Sequence, residues 1–210
     1  MTPFPSLLRA RFPSPNICQY KMSTEFRGIL DFLNLMGKLK TLKRTGWVKS
    51  GVALPESDSD HMHRAAMCAM LIPDEPGFDK FKCIKMALTH DVCECLAGDY
   101  TPFCGISKEE KSRLERQALI DVKASLGESH PLGHELLALW EEYEAGTSRE
   151  AVYAKDIDKF EMIVQADEYE RAQNMRLDQY FQSTEGYFKT DLFKGLDAEL
   201  RARRNKRHSL

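Results

Sequence analysis

Apolar residues recur along this chain mostly at intervals of three and four, the repeat of helices that bury one side. From Glu25 the run EFRGILDFLNLMGKLKTLK sets Phe26, Ile29, Leu30, Leu33, Leu35, Met36 and Leu39 in a broad inward stripe. RTGWVKSGVALPES follows, where Gly46, Gly51 and Pro55 predict an ordered loop. Ser57 with Asp60 matches a capping box and opens a helix that ends at Pro73 to Gly77. The pattern predicts a third helix from Phe81 to about Leu96, closed by Gly98.

Ser107 with Glu110 repeats the capping signal and starts a charged amphipathic helix reaching about Leu126. Leu136, Leu139, Trp140 and Tyr143 fall at helical spacing in a segment from Leu132 to Tyr143, and Ser148 caps a long segment to about Arg171. Leu192, Phe193, Leu196 and Leu200 predict a terminal helix. No strand-length alternation with hairpin turn signals stands out, and no repeat or linker divides the core. The expected fold class is therefore all-α, a single helical bundle over residues 25–200. An extension over residues 1–24 precedes it and a basic C-terminal tail over residues 201–210 follows.

A length of 210 residues suits one domain with a real core, and 42% apolar with 30% charged residues is an ordinary globular composition. A net charge of −2 argues against a broad nucleic-acid-binding surface. No apolar run approaches the roughly 20 residues that span a bilayer, so neither a nucleic acid polymer nor a membrane is an expected partner. Six cysteines without any CxxC pair read as buried free thiols in a reducing compartment, which points to the cytoplasm. Residues 1–24 hold Arg9, Arg11, Lys21 and four prolines and no acid. They read as a dispensable, disordered extension or as a weak mitochondrial or other organellar targeting sequence, with Met22 as an alternative start. RARRNKR reads as a solvated, frayed helix end.

The chemistry begins with ALTHDVCECLAGDYTP, residues 87–102. On a helix, Ala87, His90, Asp91 and Glu94 share one side, and that side is otherwise apolar. Burying such groups costs several kcal/mol, on the order of the desolvation penalty of each ion, unless something pairs with them. Two further anomalies of this kind lie elsewhere. His61 aligns with Ala65 and Ala69 in the first turn of its helix, where the dipole disfavours a protonated imidazole. Asp158 aligns with Ala151, Ala154, Met162 and Gln165, small neighbours that leave room beside the carboxylate. Each residue alone has an ordinary reading, as a hydrogen-bonded core histidine or a surface ion-pair partner. Together, two neutral imidazoles and two carboxylates meeting at one point would satisfy a divalent cation, which would offset the burial penalty.

The order His…His-Asp…Asp resembles the HD-domain metal-dependent phosphohydrolases. LKRTGWVKSGV, ESDSDHMHRAAMCAM, ALTHDVCECLAGDYTP, ALWEEYEAG and AKDIDKFEMIVQADEYE together are similar to the 5′-deoxynucleotidases of that family, over residues 26–200. The resemblance implies an HD-domain helical bundle with metal ligands His61, His90, Asp91 and Asp158. It implies that Glu94 is the catalytic acid in His-Asp-x-x-Glu, that Asp99 is a second acid near the leaving sugar oxygen, and that Arg44 grips the 5′-phosphate. Bacterial members carry a tryptophan directly after this arginine, where it helps exclude a ribose 2′-hydroxyl. Here that position is Thr45 and Trp47 lies two further on, so both join the candidate substrate-binding residues.

The implied activity is hydrolysis of (deoxy)nucleoside 5′-monophosphates with one divalent ion, Mn, Co, Zn, Fe or Mg. A single centre fits the lack of extra histidines. Alternatives within the superfamily are a phosphodiesterase and a guanosine polyphosphate hydrolase; outside catalysis, the alternative is an HD-fold interaction protein. Relatives of this kind form homodimers, for which Leu192, Phe193 and Leu196 are candidate interface residues. His63 is expected to be structural or exposed, and Pro131 and Gly133 argue against a metal pair at His130 and His134. Met67, Met70 and Met86 are expected in the core.

Overall fold

Short-range capping starts the long helices much as the pattern predicts. The computed structural model describes residues 22–101 and 104–209. Among them the chain forms α1 (Met22–Leu39), α2 (Thr45–Lys49), α3 (Asp58–Met70), α4 (Lys80–Thr89) and α5 (Glu94–Ala97). It continues with α6 (Lys108–Leu126), α7 (Pro131–Ala145), α8 (Arg149–Gln173), α9 (Asp178–Ser183) and α10 (Asp191–His208). The hydroxyls of Ser57, Ser107 and Ser148 accept the amides of Asp60, Glu110 and Ala151 at 3.2, 3.1 and 3.1 Å. At α3 the Asp60 carboxylate accepts back from the Ser57 amide at 2.9 Å, completing the capping box.

Helix α8 is the axis of the bundle. It packs against α3, α4, α7, α9 and α10, while α1 lies on α5 and α6. A helix wrapped on so many sides needs buried residues all round, and the buried set of α8 runs from Ala151 and Ala154 through Ile157, Phe160 and Ile163 to Ala166 and Tyr169. Ala65, Ala69, Ala87, Ala151, Ala154 and Ala166 are each almost fully buried, so α3 and α4 approach α8 closely around the residues of interest. At the α1–α6 contact a Cβ on Gly28 would stand 2.8 Å from the Ser125 carbonyl oxygen, so only glycine permits that approach.

Four departures from the sequence pattern have physical causes. First, the predicted loop after Arg44 contains the five-residue α2, whose first amide is capped by Asp99, 54 residues away. Second, the third predicted helix breaks after Thr89. The His90 ring takes the Ala87 carbonyl oxygen at 2.9 Å, the acceptor that the Asp91 amide would use in a continuing helix. The chain then proceeds in tighter turns, Val92 N to Thr89 O at 3.1 Å and Glu94 N to Asp91 O at 3.0 Å. His90, Asp91 and Glu94 therefore do not share one helical face.

Third, the basic end, residues 201–208, forms the last turns of α10 with most side chains solvated, but it is fastened to the bundle rather than frayed. Arg204 is buried there and donates to Glu170 through Nε and Nη2, both at 2.7 Å. Fourth, Phe193 is in the core and Leu192 and Leu196 pack on it, so these residues serve the fold of this chain. Met86 is buried as expected, but Met67 and Met70 face solvent. Residues 22–24 belong to α1, and the rest of the 1–24 extension lies outside the described residues. Cys68, Cys83, Cys93, Cys95 and Cys104 are free thiols; Cys18 is outside the described residues.

Candidate active site

Three parts of the chain bring the predicted ligands together: His61, His90 and Asp158 form one cluster, and an oxygen of Asp91 lies within 4 Å of both imidazoles. His61 sits one turn into α3 and is fully buried, His90 and Asp91 occupy the break after α4, and Asp158 is in the middle of α8. The two imidazole Nε2 atoms are 3.2 Å apart. Asp91 Oδ2 lies 3.3 Å from His90 Nε2 and 3.8 Å from His61 Nε2. Asp158 Oδ1 lies 3.5 Å from His61 Nε2 and 3.9 Å from His90 Nε2.

Hydrogen bonding at the far side of each ring fixes what these atoms can do. His90 Nδ1 must donate, because its partner is the Ala87 carbonyl oxygen. His61 Nδ1 faces the Glu161 carboxylate, likewise an acceptor. Each neutral ring therefore carries its proton on Nδ1 and turns a bare Nε2 lone pair toward the other. Two lone pairs 3.2 Å apart beside two carboxylates cannot satisfy one another; a cation between them can. Donors about 2.1 Å from one ion lie about 3.0–3.4 Å apart, close to the spacing here. Burial and Arg44 oppose a positive charge on His61, yet Glu161 and Asp158 outweigh them and raise its pKa to about 10. Without a metal the ring therefore keeps a second proton, on Nε2, contrary to the neutral form expected from the helix dipole, and a metal ion binds by displacing that proton. The residues present fit a divalent metal ion.

The second oxygen of Asp158 is already committed. Oδ2 accepts from the Tyr143 hydroxyl at 3.0 Å and faces Lys159 Nζ at 3.1 Å, which leaves Oδ1 for the imidazoles. Tyr143, which falls at helical spacing among the inward residues of α7, is a wall of this site, and so is Lys159.

Beside these four residues lies an acidic group around Arg44. A short pairing of the chain, Arg44 N to Glu56 O at 3.3 Å and Asp58 N to Leu42 O at 3.0 Å, brings Arg44 against the start of α3. Its Nη1 is 2.8 Å from Asp91 Oδ2, 3.6 Å from Asp58 Oδ1 and 3.7 Å from Glu94 Oε2. Glu94 Oε2 has no hydrogen-bond partner, and neither does either oxygen of the fully buried Asp58. Burial, then Asp91, holds the Glu94 carboxyl well above the usual carboxylate range, against the pull of Arg44. Burial likewise lifts Asp58 to about 6. Asp99 brings an oxygen within 4.8 Å of those of Asp58 and Glu94. Its Oδ2 accepts the Thr45 amide at 2.5 Å, and its carbonyl accepts the Thr45 hydroxyl at 2.8 Å.

Arg44, His90, Asp91, Glu94, Asp99 and Asp158 line a cavity of about 810 Å³ whose other walls include Trp140, Tyr143, Tyr180, Tyr187, Lys155 and Lys159. That volume falls within the roughly 300–1,000 Å³ of small-molecule sites. Trp47 touches this cavity but is only 2% exposed. Its indole donates to Glu56 Oε1 at 2.9 Å and packs against Tyr169 and Tyr180, so it acts as a supporting wall. His63 is exposed, His130 caps α7 through the Leu132 amide, and His134 faces the Glu128 carbonyl, so these histidines lie outside the site. Sequence reasoning missed Asp58 and Glu161. The signal was there for Glu161, one turn after Asp158 on the same helix, as Arg64 is one turn after His61.

A helical bundle whose core turns two histidines and two aspartates on one point is the architecture of a metal-dependent phosphohydrolase. The HD domain family matches residues 36–198, and the chain belongs to that family. Among curated relatives it is 48% identical over 187 residues to 5′-deoxynucleotidase HDDC2 of Dictyostelium discoideum, covering 83% of this chain and 97% of that one. It is 45% identical over 181 residues to human 5′-deoxynucleotidase HDDC2, covering 85% and 87%. The solved HD domain-containing protein YGK1 superposes with a TM-score of 0.63 at 35% identity, covering 85% of this chain and 86% of that one.

Proposed function

We propose that this enzyme hydrolyses the 5′-phosphate ester of deoxynucleoside monophosphates, and with less selectivity ribonucleoside monophosphates, to nucleoside and inorganic phosphate. The observation that carries the reading is the pair of buried Nε2 atoms, 3.2 Å apart and flanked by Asp91 and Asp158, beside a cavity lined by His90, Asp91, Asp158, Arg44 and the raised-pKa acid Glu94. The names of the relatives support the choice of substrate.

His61, His90, Asp91 and Asp158 would hold one divalent ion. Bound there, the ion supplies Lewis-acid charge neutralisation at the phosphate and lowers the pKa of a water. Arg44 offers a planar pair of donors to the non-bridging phosphate oxygens, a geometry lysine cannot copy. Its present partners, Asp91, Asp58 and Glu94, keep the guanidinium beside the reaction centre before substrate arrives. As a water oxygen bonds to phosphorus, Glu94, whose pKa burial and Asp91 raise, is suited to protonate O5′ of the breaking ester bond, its own carboxylate then taking up the water's proton. Asp99, anchored to the start of α2, orients the leaving sugar oxygen. Thr45 and Trp47 act on the substrate through the wall they hold in place, Thr45 by its bonds to Asp99 and Trp47 by its packing.

The test is release of inorganic phosphate from a panel of dNMPs and NMPs across Mn²⁺, Co²⁺, Zn²⁺, Fe²⁺ and Mg²⁺, with metal stoichiometry measured alongside. Metal-dependent phosphate release, greatest with dNMPs, is the expected result. Pyrophosphate from a guanosine polyphosphate, or a 5′-monophosphate from a cyclic nucleotide, would move the enzyme to the superfamily alternatives. Folded, metal-loaded protein inert toward every nucleotide would leave the interaction-protein reading. The buried carboxylates of Asp58 and Glu94, with Arg44 only at 3.6 and 3.7 Å and no hydrogen bond to those oxygens, are hard to reconcile with that reading, since they burden a scaffold with no return. A homodimer in the cytoplasm completes the proposal; light scattering on the full chain tests the assembly.

A further inference from the structure

We infer that Glu161, oriented by Arg64, is a positioning residue that locks the Nδ1–H tautomer of His61 and so keeps Nε2 as a metal-binding lone pair. The inference rests on the metal-centre reading given above. His90 gets its tautomer from a backbone carbonyl, which no side-chain substitution removes. His61 depends on a side chain. Its Nδ1 bonds Glu161 Oε2, and that carboxylate is 1% exposed, so no solvent can replace it.

The other oxygen of Glu161 is pinned. Arg64 sits on α3 one turn beyond His61 and places Nε and Nη2 each 2.7 Å from Glu161 Oε1. The guanidinium is itself braced by Gln165 at 2.5 Å and by Glu168 at 2.8 Å. Both carboxylate oxygens are therefore assigned, one to the arginine and one to the imidazole. The relay runs between facing sides of α3 and α8, parallel to the His61–Asp158 contact.

This arrangement makes a specific prediction for Glu161→Gln. Arg64 can only donate, so it will take the single amide oxygen of glutamine and turn the NH₂ toward His61. An NH₂ donor forces Nδ1 to accept, which moves the ring proton to Nε2 and removes the lone pair that binds metal. Affinity for Co²⁺, measured by chelator competition on the full-length protein, should fall by about 10–100-fold. In the metal-free protein titrated to its neutral ring, ¹⁵N shifts should report an Nε2–H ring at His61 where the native protein shows Nδ1–H.

A second substitution separates this relay from simple support of the fold. Adding Arg64→Met to Glu161→Gln frees the amide to rotate its oxygen toward His61, so the double variant should bind Co²⁺ more tightly than the single one. A merely structural pair would weaken binding further. Unchanged Co²⁺ affinity with an Nδ1–H ring in Glu161→Gln, or a double variant weaker than the single, overturns the inference. If Glu161→Gln does not fold, Arg64→Met alone decides: reduced Co²⁺ affinity with native melting supports the relay, and unchanged affinity overturns it. His61→Ala is the control for the underlying reading, because native Co²⁺ affinity in that variant would defeat the metal centre itself.

Discussion

The two halves of α8 each carry buried acids, and they treat them in opposite ways. Near its C-terminal end Glu170 accepts from Arg204 at 2.7 Å on both oxygens, from the Leu177 amide at 2.7 Å, and meets His208 at 3.2 Å. Arg204 also donates to Asp178, and Asp167 takes Arg171 at 3.0 Å and Arg207 at 2.5 Å. Every acceptor there has a donor. Near the middle of the same helix Asp158 meets two histidines whose lone pairs face each other, beside Glu94 and Asp58 with bare oxygens. A closed network of charges fastens α10 to the bundle, whereas an open one has unspent binding capacity. The contrast, more than burial itself, marks which cluster has chemistry to do.

Breaking the open cluster should have the largest effect. Asp158→Ala should lower metal-dependent phosphate release from a dNMP by at least about 10⁴-fold, by removing a ligand and with it several kcal/mol of charge stabilisation. Circular dichroism should still show a native helical fold. A variant that keeps its turnover would erase the distinction between the two clusters.

Next in size is Glu94→Gln, with a loss of about 10²–10³-fold in kcat if Glu94 donates the proton. The sign of the pH effect follows from its raised pKa: the acid must be protonated, so native activity falls as pH rises through the Glu94 pKa. The glutamine variant should lose that alkaline limb. A pH profile with the limb intact would hand the acid role to Asp99.

In the closed cluster Glu170→Gln should leave turnover per folded molecule at the native level and lower stability by about 3 kcal/mol, because Arg204 is left buried with a weakened partner. Burial opposes the Glu170 charge, but Arg204, the Leu177 amide and His208 prevail and bring its pKa down to about 2. A lowered carboxylate pKa stabilises the fold above the ordinary value and ceases to do so as pH falls through the folded one. The gap in stability between native and variant protein should therefore be full near neutrality and close between about pH 4.5 and 2, as chemical denaturation will show. The smallest effect is expected for Tyr143→Phe, which removes one of the two donors to Asp158 Oδ2; about 1 kcal/mol, or roughly fivefold in metal affinity, is the expected change.

The parts of this molecule that were legible beforehand are those set by neighbours in the chain. Ser57, Ser107 and Ser148 announce their helices because a cap reaches only to its third residue on. His61, His90, Asp91 and Asp158 stood out because helical periodicity puts them among alanines. Partners far along the chain were not legible. Asp99 starts α2 from 54 residues away, and His90 ends α4 with its own ring. Arg204 looked like solvated charge because Glu170 lies 34 residues before it. Tyr143 and Asp58 looked ordinary for the same reason.

By itself, then, the order of residues determined where helices start, which faces turn inward, and which ionisable groups must travel inward with them. Those outcomes follow from interactions within a turn or two of backbone. Only tertiary structure decided which lone pairs are tied down and which are left facing one another. The Nε2 atoms of His61 and His90 belong to residues 29 apart, and Glu161 reaches His61 across 100 residues. Hydrogen bonds act over about 3 Å, so their assignment waits until packing has brought such atoms together.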